Sequence, residues 1–215
     1  MFNVCPNCGE DRADKAVVPG GSYAVCPNCR HRHPFLRLPL FILTGASGVG
    51  KSTVCLALAA RTKEVVVMES DILWRAEFDQ PATNYREYRE TWLRVCKNIS
   101  QAGRPVVLCG VSEPAQFEQC VERRYFSKLH YLALVCDAES LVSRLRNRPP
   151  SRGTSNDECI KKQVAFNRRL IKNARKTKPP MTLVDNSKIT VDETVERVER
   201  WVRRHMNGRA RFSEL

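Results

Sequence analysis

The chain has 215 residues, 42% of them hydrophobic and 27% charged, and a net charge of +13. That length suits one medium domain with a small appendage, and apolar runs of no more than seven residues exclude a membrane-spanning helix. Ten cysteines could build a disulfide framework, but Met1-Phe2-Asn3-Val4-Cys5 has neither the basic start nor the apolar core of an export signal, so a reducing, cytoplasmic setting with metal-bound cysteines is expected. The charge is uneven: residues 1–40 carry +2, residues 41–140 carry 0 and residues 141–215 carry +11. A basic C-terminal third suits either a phosphate-rich partner, nucleotide or polynucleotide, or a solvated helix surface.

Cys5-Pro6-Asn7-Cys8 and Cys26-Pro27-Asn28-Cys29 are two near-identical C-x-x-C knuckles joined through a Pro19-Gly20-Gly21 turn. Four thiolates at this spacing converge on one ion and leave no open coordination position, so the ion is structural. A segment of about forty residues buries too little apolar surface to fold alone, and the metal would supply its folding free energy. The pattern resembles a zinc ribbon over residues 1–38, although iron also suits a tetrahedral thiolate site. His31 and His33 are surface residues on this reading, and Arg30-His31-Arg32-His33 gives the ribbon a modest basic edge.

Residues 39–206 alternate strand and helix. Short apolar runs at 40–44, 64–68, 105–109, 131–135 and 181–184 read as strands buried on both faces of a parallel sheet. Helical stretches lie at about 51–61, 84–101, 115–124, 138–146, 157–176 and 191–206. The fold class is therefore α/β, a three-layer α/β/α sandwich on a five-stranded parallel sheet, followed by a frayed tail at 207–215. Ligands of such sheets sit at the carboxyl ends of the strands.

The first of these strands runs into Gly45-Ala46-Ser47-Gly48-Val49-Gly50-Lys51-Ser52, and Thr53 continues into a helix. This is the GxxxxGK[ST] phosphate loop in its strand–turn–helix setting. Loop amides and the helix N-terminus would hold the phosphates of a nucleoside triphosphate, Lys51 would neutralise them, and Ser52 would hold Mg2+. The second strand ends in Glu69-Ser70-Asp71, and strand alternation points both carboxylates to one side, one toward magnesium and one toward an acceptor hydroxyl. The third ends Cys109-Gly110, with no Walker B aspartate at that position, and Glu113 follows as an alternative acid.

Trp74, Phe78, Tyr85, Tyr88 and Trp92 interleave with Arg75, Arg86, Arg89 and Arg94. This stretch suits an aromatic or nucleotide pocket, while the i, i+3, i+7 spacing of Tyr85, Tyr88 and Trp92 equally suits a core face. Four arginines, 144, 146, 148 and 152, straddle a helix end and a Pro-rich loop.

Together these motifs resemble the small P-loop kinases of the gluconate and shikimate kinase type, within the wider nucleoside monophosphate kinase group. Glu69-Ser70-Asp71-Ile72-Leu73-Trp74 is similar to the gluconate kinase Asp-x-Asp-x-Leu-His segment. The resemblance implies an ATP-dependent kinase: Asp71 contacts the acceptor, Glu69 helps organise Mg2+, and Arg144 and Arg148 belong to a short lid over the transferring phosphates. It further implies acceptor contacts from Trp74, Arg75 and, on the following helix, Arg168 (with Arg169 its neighbour), and an adenine-packing loop at Asn186. A nucleoside or nucleotide is the expected acceptor, with another small hydroxylated metabolite close behind. A nucleic-acid-directed enzyme gripping a polynucleotide through the ribbon and the basic third, or a nucleotide-sensing adaptor, are the other readings these residues leave open.

Overall fold

The computed structural model describes residues 3–13, 15–18 and 20–206, so the tail expected at 207–215 lies outside the described residues. Near the amino terminus, β1 (Ala16–Val17), β2 (Tyr23–Val25) and β3 (Arg32–Pro34) pair antiparallel in that order. The two C-x-x-C segments make matching turns: Gly9 N donates to Cys5 O at 2.9 Å, and Arg30 N to Cys26 O at 3.1 Å. The residue after each second cysteine is left-handed, Gly9 at φ 74° and Arg30 at φ 62°. Two sequence-identical Cys-Pro-Asn-Cys segments therefore fold to one geometry.

The main sheet is parallel throughout, in the order β5-β6-β4-β7-β8: β4 (Leu40–Thr44), β5 (Val66–Glu69), β6 (Val106–Cys109), β7 (Leu129–Val135) and β8 (Met181–Asp185). Every residue of β4 and β6 is buried, which is why these strands read as unbroken apolar runs. Helices α1 (Lys51–Arg61) and α6 (Val191–Met206) pack on one face, where Val195, Val198, Trp201 and Val202 meet Phe41, Leu43 and Leu58. On the other face α2 (Arg86–Ser100) and α3 (Pro114–Glu118) bury Trp92, Leu93 and Phe117 against Ile42, Leu108 and Tyr131. The remaining helices, α4 (Ala138–Arg146) and α5 (Asp157–Asn173), start at side-chain caps: Asp137 accepts from Ser140 N and Asn156 from Cys159 N. None of the described helices is long and apolar enough to cross a membrane.

Three expected elements differ in detail. The run expected at 64–68 forms strand only from Val66, and 70–83 is a series of 3-10 turns, so the helix expected from 84 begins at Arg86. The stretch expected as one helix at 115–124 divides into α3 and a 3-10 turn at Val121–Tyr125. Because β5 stops at Glu69, Asp71 lies in the 3-10 turn Ser70–Leu73 and not in the strand. Strand alternation therefore does not govern its direction, and the turn does.

The small sheet docks at the amino-terminal edge of the large one. Phe35 packs edge-on against Tyr125 at 5.4 Å beside Ala24, and Arg124 Nη2 donates to Ala13 O at 3.0 Å. Leu36 N donates to Gln101 Oε1 at 2.9 Å. Gln101 and Tyr125 both precede the strands β6 and β7, so this contact is at the pole opposite the strands' carboxyl ends. A five-residue strand, about 17 Å, separates the two poles.

Candidate active site

The chain leaves β4 at the centre of the sheet, with β6 on one side and β7 on the other, and the phosphate loop fills that switch point. Gly45 has φ 147°, and a Cβ placed there would sit 2.5 Å from Leu134 O. Only glycine lets the loop leave the strand this close to its neighbour. Lys51, the first residue of α1, turns back on the loop, its Nζ donating to Gly45 O at 2.9 Å and Ala46 O at 3.0 Å. Burial depresses its pKa, opposed by the fields of Cys109 and Asp71 and reinforced by Arg148. A desolvated ammonium at a cradle of backbone amides is a donor set that fits phosphate oxygens. Ser52 stands beside Lys51 at the helix start, as the magnesium ligand of this loop type does, and Glu69 closes β5 next to β6.

On one side of the loop is a cavity of about 330 Å³ lined by Gly48, Thr53, Arg144, Arg148, Asn186 and Ile189 among others. Asn186 is 6% exposed; its Nδ2 donates to Val49 O at 2.7 Å, and its Oδ1 accepts from Arg144 Nη1 at 3.2 Å. The amide thus ties the loop after β8 to the phosphate loop and to Arg144. Arg148, whose pKa burial lowers, feels both Arg152 and Asp71. Lys51 and Arg148 thus both lie within the field of the Asp71 carboxylate.

On the other side is a larger cavity, about 560 Å³, into which Asp71, Trp74, Tyr85, Tyr88, Arg89 and Arg169 project. The turn carrying Asp71 is fixed from beneath: Ser70 O accepts from Tyr88 OH at 2.5 Å and from Trp92 Nε1 at 3.1 Å. The core and pocket readings of the aromatic stretch both hold, because Trp92 is fully buried while Tyr85 and Tyr88 line the cavity. Arg89 is 6% exposed and donates Nη2 to Val111 O at 2.8 Å, with its guanidinium 5.0 Å from the Tyr88 ring and 5.3 Å from Phe117. Its Nε, and Ser112 Oγ on the same wall, are buried without a hydrogen-bond partner among the described residues.

Two of the sequence candidates lie elsewhere. Arg75 lies over the Phe78 ring at 5.4 Å and is not among the residues lining the cavity. Arg168 lines a shallow depression between α4 and α5 with Val142, Ile160 and Val164. Its neighbour Arg169 is the one that lines the larger cavity, paired with Glu113 at 3.0 Å. One residue along a helix is a rotation of about 100°, enough to move a side chain from one face to the next. Gln116, Lys162 and Gln163 enter the cavity without having been singled out, and of the four interleaved arginines only Arg89 lines it. For Arg89 the available signal is its i, i+4 relation to Tyr85 on the helix face that Tyr88 shares.

The cysteine quartet is assembled as well. The sulfurs of Cys5, Cys8, Cys26 and Cys29 all lie within 4.8 Å of one another, with Cys5–Cys29 at 3.7 Å and Cys8–Cys26 at 3.8 Å. A tetrahedral ion with metal–sulfur bonds of about 2.3 Å sets its ligands about 3.8 Å apart. A disulfide would require about 2.05 Å.

A family model described as an AAA domain matches residues 42–163, from inside β4 through the phosphate loop and lid to α5. The chain belongs to this AAA domain family. No curated protein sequence matches the chain. Among solved structures, a gluconokinase from Sinorhizobium meliloti 1021 superposes with a TM-score of 0.56 at 17% identity, covering 80% of this chain and 95% of its own. A sugar kinase from Janibacter sp. HTCC2649 gives 0.58 at 18%, covering 77% and 95%. A tunicamycin resistance protein from Deinococcus radiodurans gives 0.54 at 17%, covering 77% and 96%. These likenesses establish that the AAA domain here has the P-loop kinase fold, the resemblance its motifs carried.

Proposed function

We propose that this AAA-domain protein is an ATP-dependent phosphotransferase that moves the γ-phosphoryl group of ATP to a small acceptor, a nucleotide in preference to an uncharged nucleoside. The observation that carries the choice is Arg89, a buried guanidinium that forms no ion pair among the described residues and projects into an aromatic-walled cavity beside the phosphate loop. A buried cation lacking a counter-ion costs several kcal/mol, and an anionic acceptor removes that cost. Trp74, Tyr85 and Tyr88 offer ring faces to a base.

In this reading Gly45–Ser52 with Thr53 hold the triphosphate, and Asn186 closes the adenine side. Ser52 and Glu69 hold Mg2+, which supplies charge neutralisation at the phosphates. Lys51, Arg144 and Arg148 stabilise the transferring phosphoryl group by position and permanent charge. Asp71 positions the acceptor, and deprotonates it where the acceptor is a hydroxyl. The four cysteines hold a structural Zn2+, which has no open position for chemistry.

The test is ADP formation from ATP·Mg2+ over nucleoside monophosphates, nucleosides and sugar acids, with Arg89→Ala and Asp71→Ala alongside. Monophosphate-dependent turnover whose KM rises about 10- to 100-fold in Arg89→Ala, the loss expected for a charge-assisted contact, supports the reading. Turnover of uncharged nucleosides alone, or none on the whole panel, rejects it.

A further inference from the structure

A hydrogen bond joins the phosphate loop to the acceptor side of the site. Gln163, on α5, lines the acceptor cavity, and its Oε1 accepts from Ser47 N at 2.7 Å. The Ser47 amide belongs to the loop whose N–H groups close around phosphate. Here it is satisfied by a side chain reaching in from the neighbouring cavity. The amide has one proton to give, and a charged phosphate oxygen is a stronger acceptor than a neutral carboxamide. Lys51 is likewise held on the loop carbonyls of Gly45 and Ala46. Of these partners, Gln163 is the one that belongs to the acceptor cavity.

We infer that Gln163 is a positioning residue that couples the two halves of the site. ATP takes the Ser47 amide and releases the Gln163 carboxamide, which then hydrogen-bonds the acceptor in the cavity it already lines. This rests on the nucleotide and acceptor reading given above. Two consequences follow in sign. Gln163 competes with the phosphates, so removing it tightens ATP binding. By linkage, ATP strengthens acceptor binding through the freed amide, and the variant loses that gain. A tether that merely braces α5 against the loop predicts the opposite sign for ATP, because losing a brace loosens the cradle.

Calorimetric titration of ATP·Mg2+ into wild-type protein, Gln163→Ala and Gln163→Glu separates these cases. Alanine is a good helix former, so α5 is retained. One net hydrogen bond corresponds to roughly three- to ten-fold in affinity, so the Kd for ATP is expected to fall by about that factor in Gln163→Ala. It is expected to rise in Gln163→Glu, where a carboxylate holds the amide more strongly and repels phosphate. For whichever of AMP, GMP, CMP or UMP the wild type phosphorylates, KM is expected to rise in Gln163→Ala while the ATP Kd falls. An ATP Kd that is unchanged or weaker in Gln163→Ala overturns the coupling and leaves the kinase reading intact. Wild-type protein that binds no ATP·Mg2+ overturns both.

Discussion

Gly45 and Arg89 carry the function proposed above, and they differ in how visible they are. Gly45 holds a backbone angle of φ 147° against a carbonyl of β7, so its role follows from local sterics. Gly45→Ala must push the loop off Leu134 O, and we expect ATP·Mg2+ affinity to fall more than about ten-fold, since the Cβ adds strain and the close approach is lost. Calorimetry on a variant with an unchanged circular dichroism spectrum checks this. The GxxxxGKS pattern announced that glycine before any fold was known. Arg89 is one arginine among several in its stretch, and only the folded chain buries it against Tyr88, Phe117 and the carbonyl of Val111. Arg168 and Arg169 make the same point, because a sequence gives the helical period and leaves the absolute phase of the helix to its packing.

Among the elements, α2 and β7 carry ionisable groups whose cost the fold must offset. Lys97 on α2 pairs with Glu122 at 2.7 Å, with side chains 2% and 3% exposed, and Arg94 adds a contact to Glu122 at 3.3 Å. Burial lowers the Lys97 pKa, and the Glu122 carboxylate acts against that. Glu122→Ala would leave the ammonium buried and unpaired, a loss of about 3–5 kcal/mol. The double change Lys97→Met with Glu122→Leu is expected to recover most of it, read as the difference in urea midpoints.

His130 on β7 stacks on Phe41 at 5.4 Å and faces His205 at 4.3 Å. Burial first, and then the charges of His205, Lys128 and Arg123, push its pKa down from 6.5 to about 4. The unfolded chain therefore binds the proton more readily. The contribution of His130 is whole above pH 6.5 and is lost as pH falls from 6.5 toward about 4. Melting curves between pH 7.5 and 4.5 should show a wild-type decline that Tm values of His130→Phe follow less steeply. Neither group could be assigned from sequence, where Lys97 reads as one more helix cation and His130 as one polar interruption of an apolar run.

Across the whole molecule, the ribbon and the phosphate loop occupy opposite poles of one sheet. The four-cysteine cluster orders a module whose Ala24 and Phe35 cover Tyr125, which in turn lies 4.2 Å from the Lys97 ammonium. Stripping the proposed Zn2+ with a strong chelator should therefore lower Tm and increase the solvent exposure of Tyr125. It should leave ATP affinity within about two-fold, because the loop is a strand's length away. Parallel melting and calorimetric runs on metal-loaded and chelated protein check both parts, and a collapse of ATP binding on chelation would show that the two poles are coupled.

The sequence by itself determined the phosphate loop, the cysteine quartet, the five strand runs and the basic C-terminal third. Each of these is written in a short window: a backbone turn that only glycine permits, two ligands per knuckle, or an apolar run buried on both sides. The tertiary structure alone decided which arginines line the larger cavity, that Asp71 sits on a 3-10 turn beyond the strand, that Gln163 reaches Ser47 across 116 positions, and that the ribbon stands away from the phosphate loop. These depend on contacts between segments distant in sequence, whose relative rotation and approach are set by packing of the whole core and appear in no local pattern.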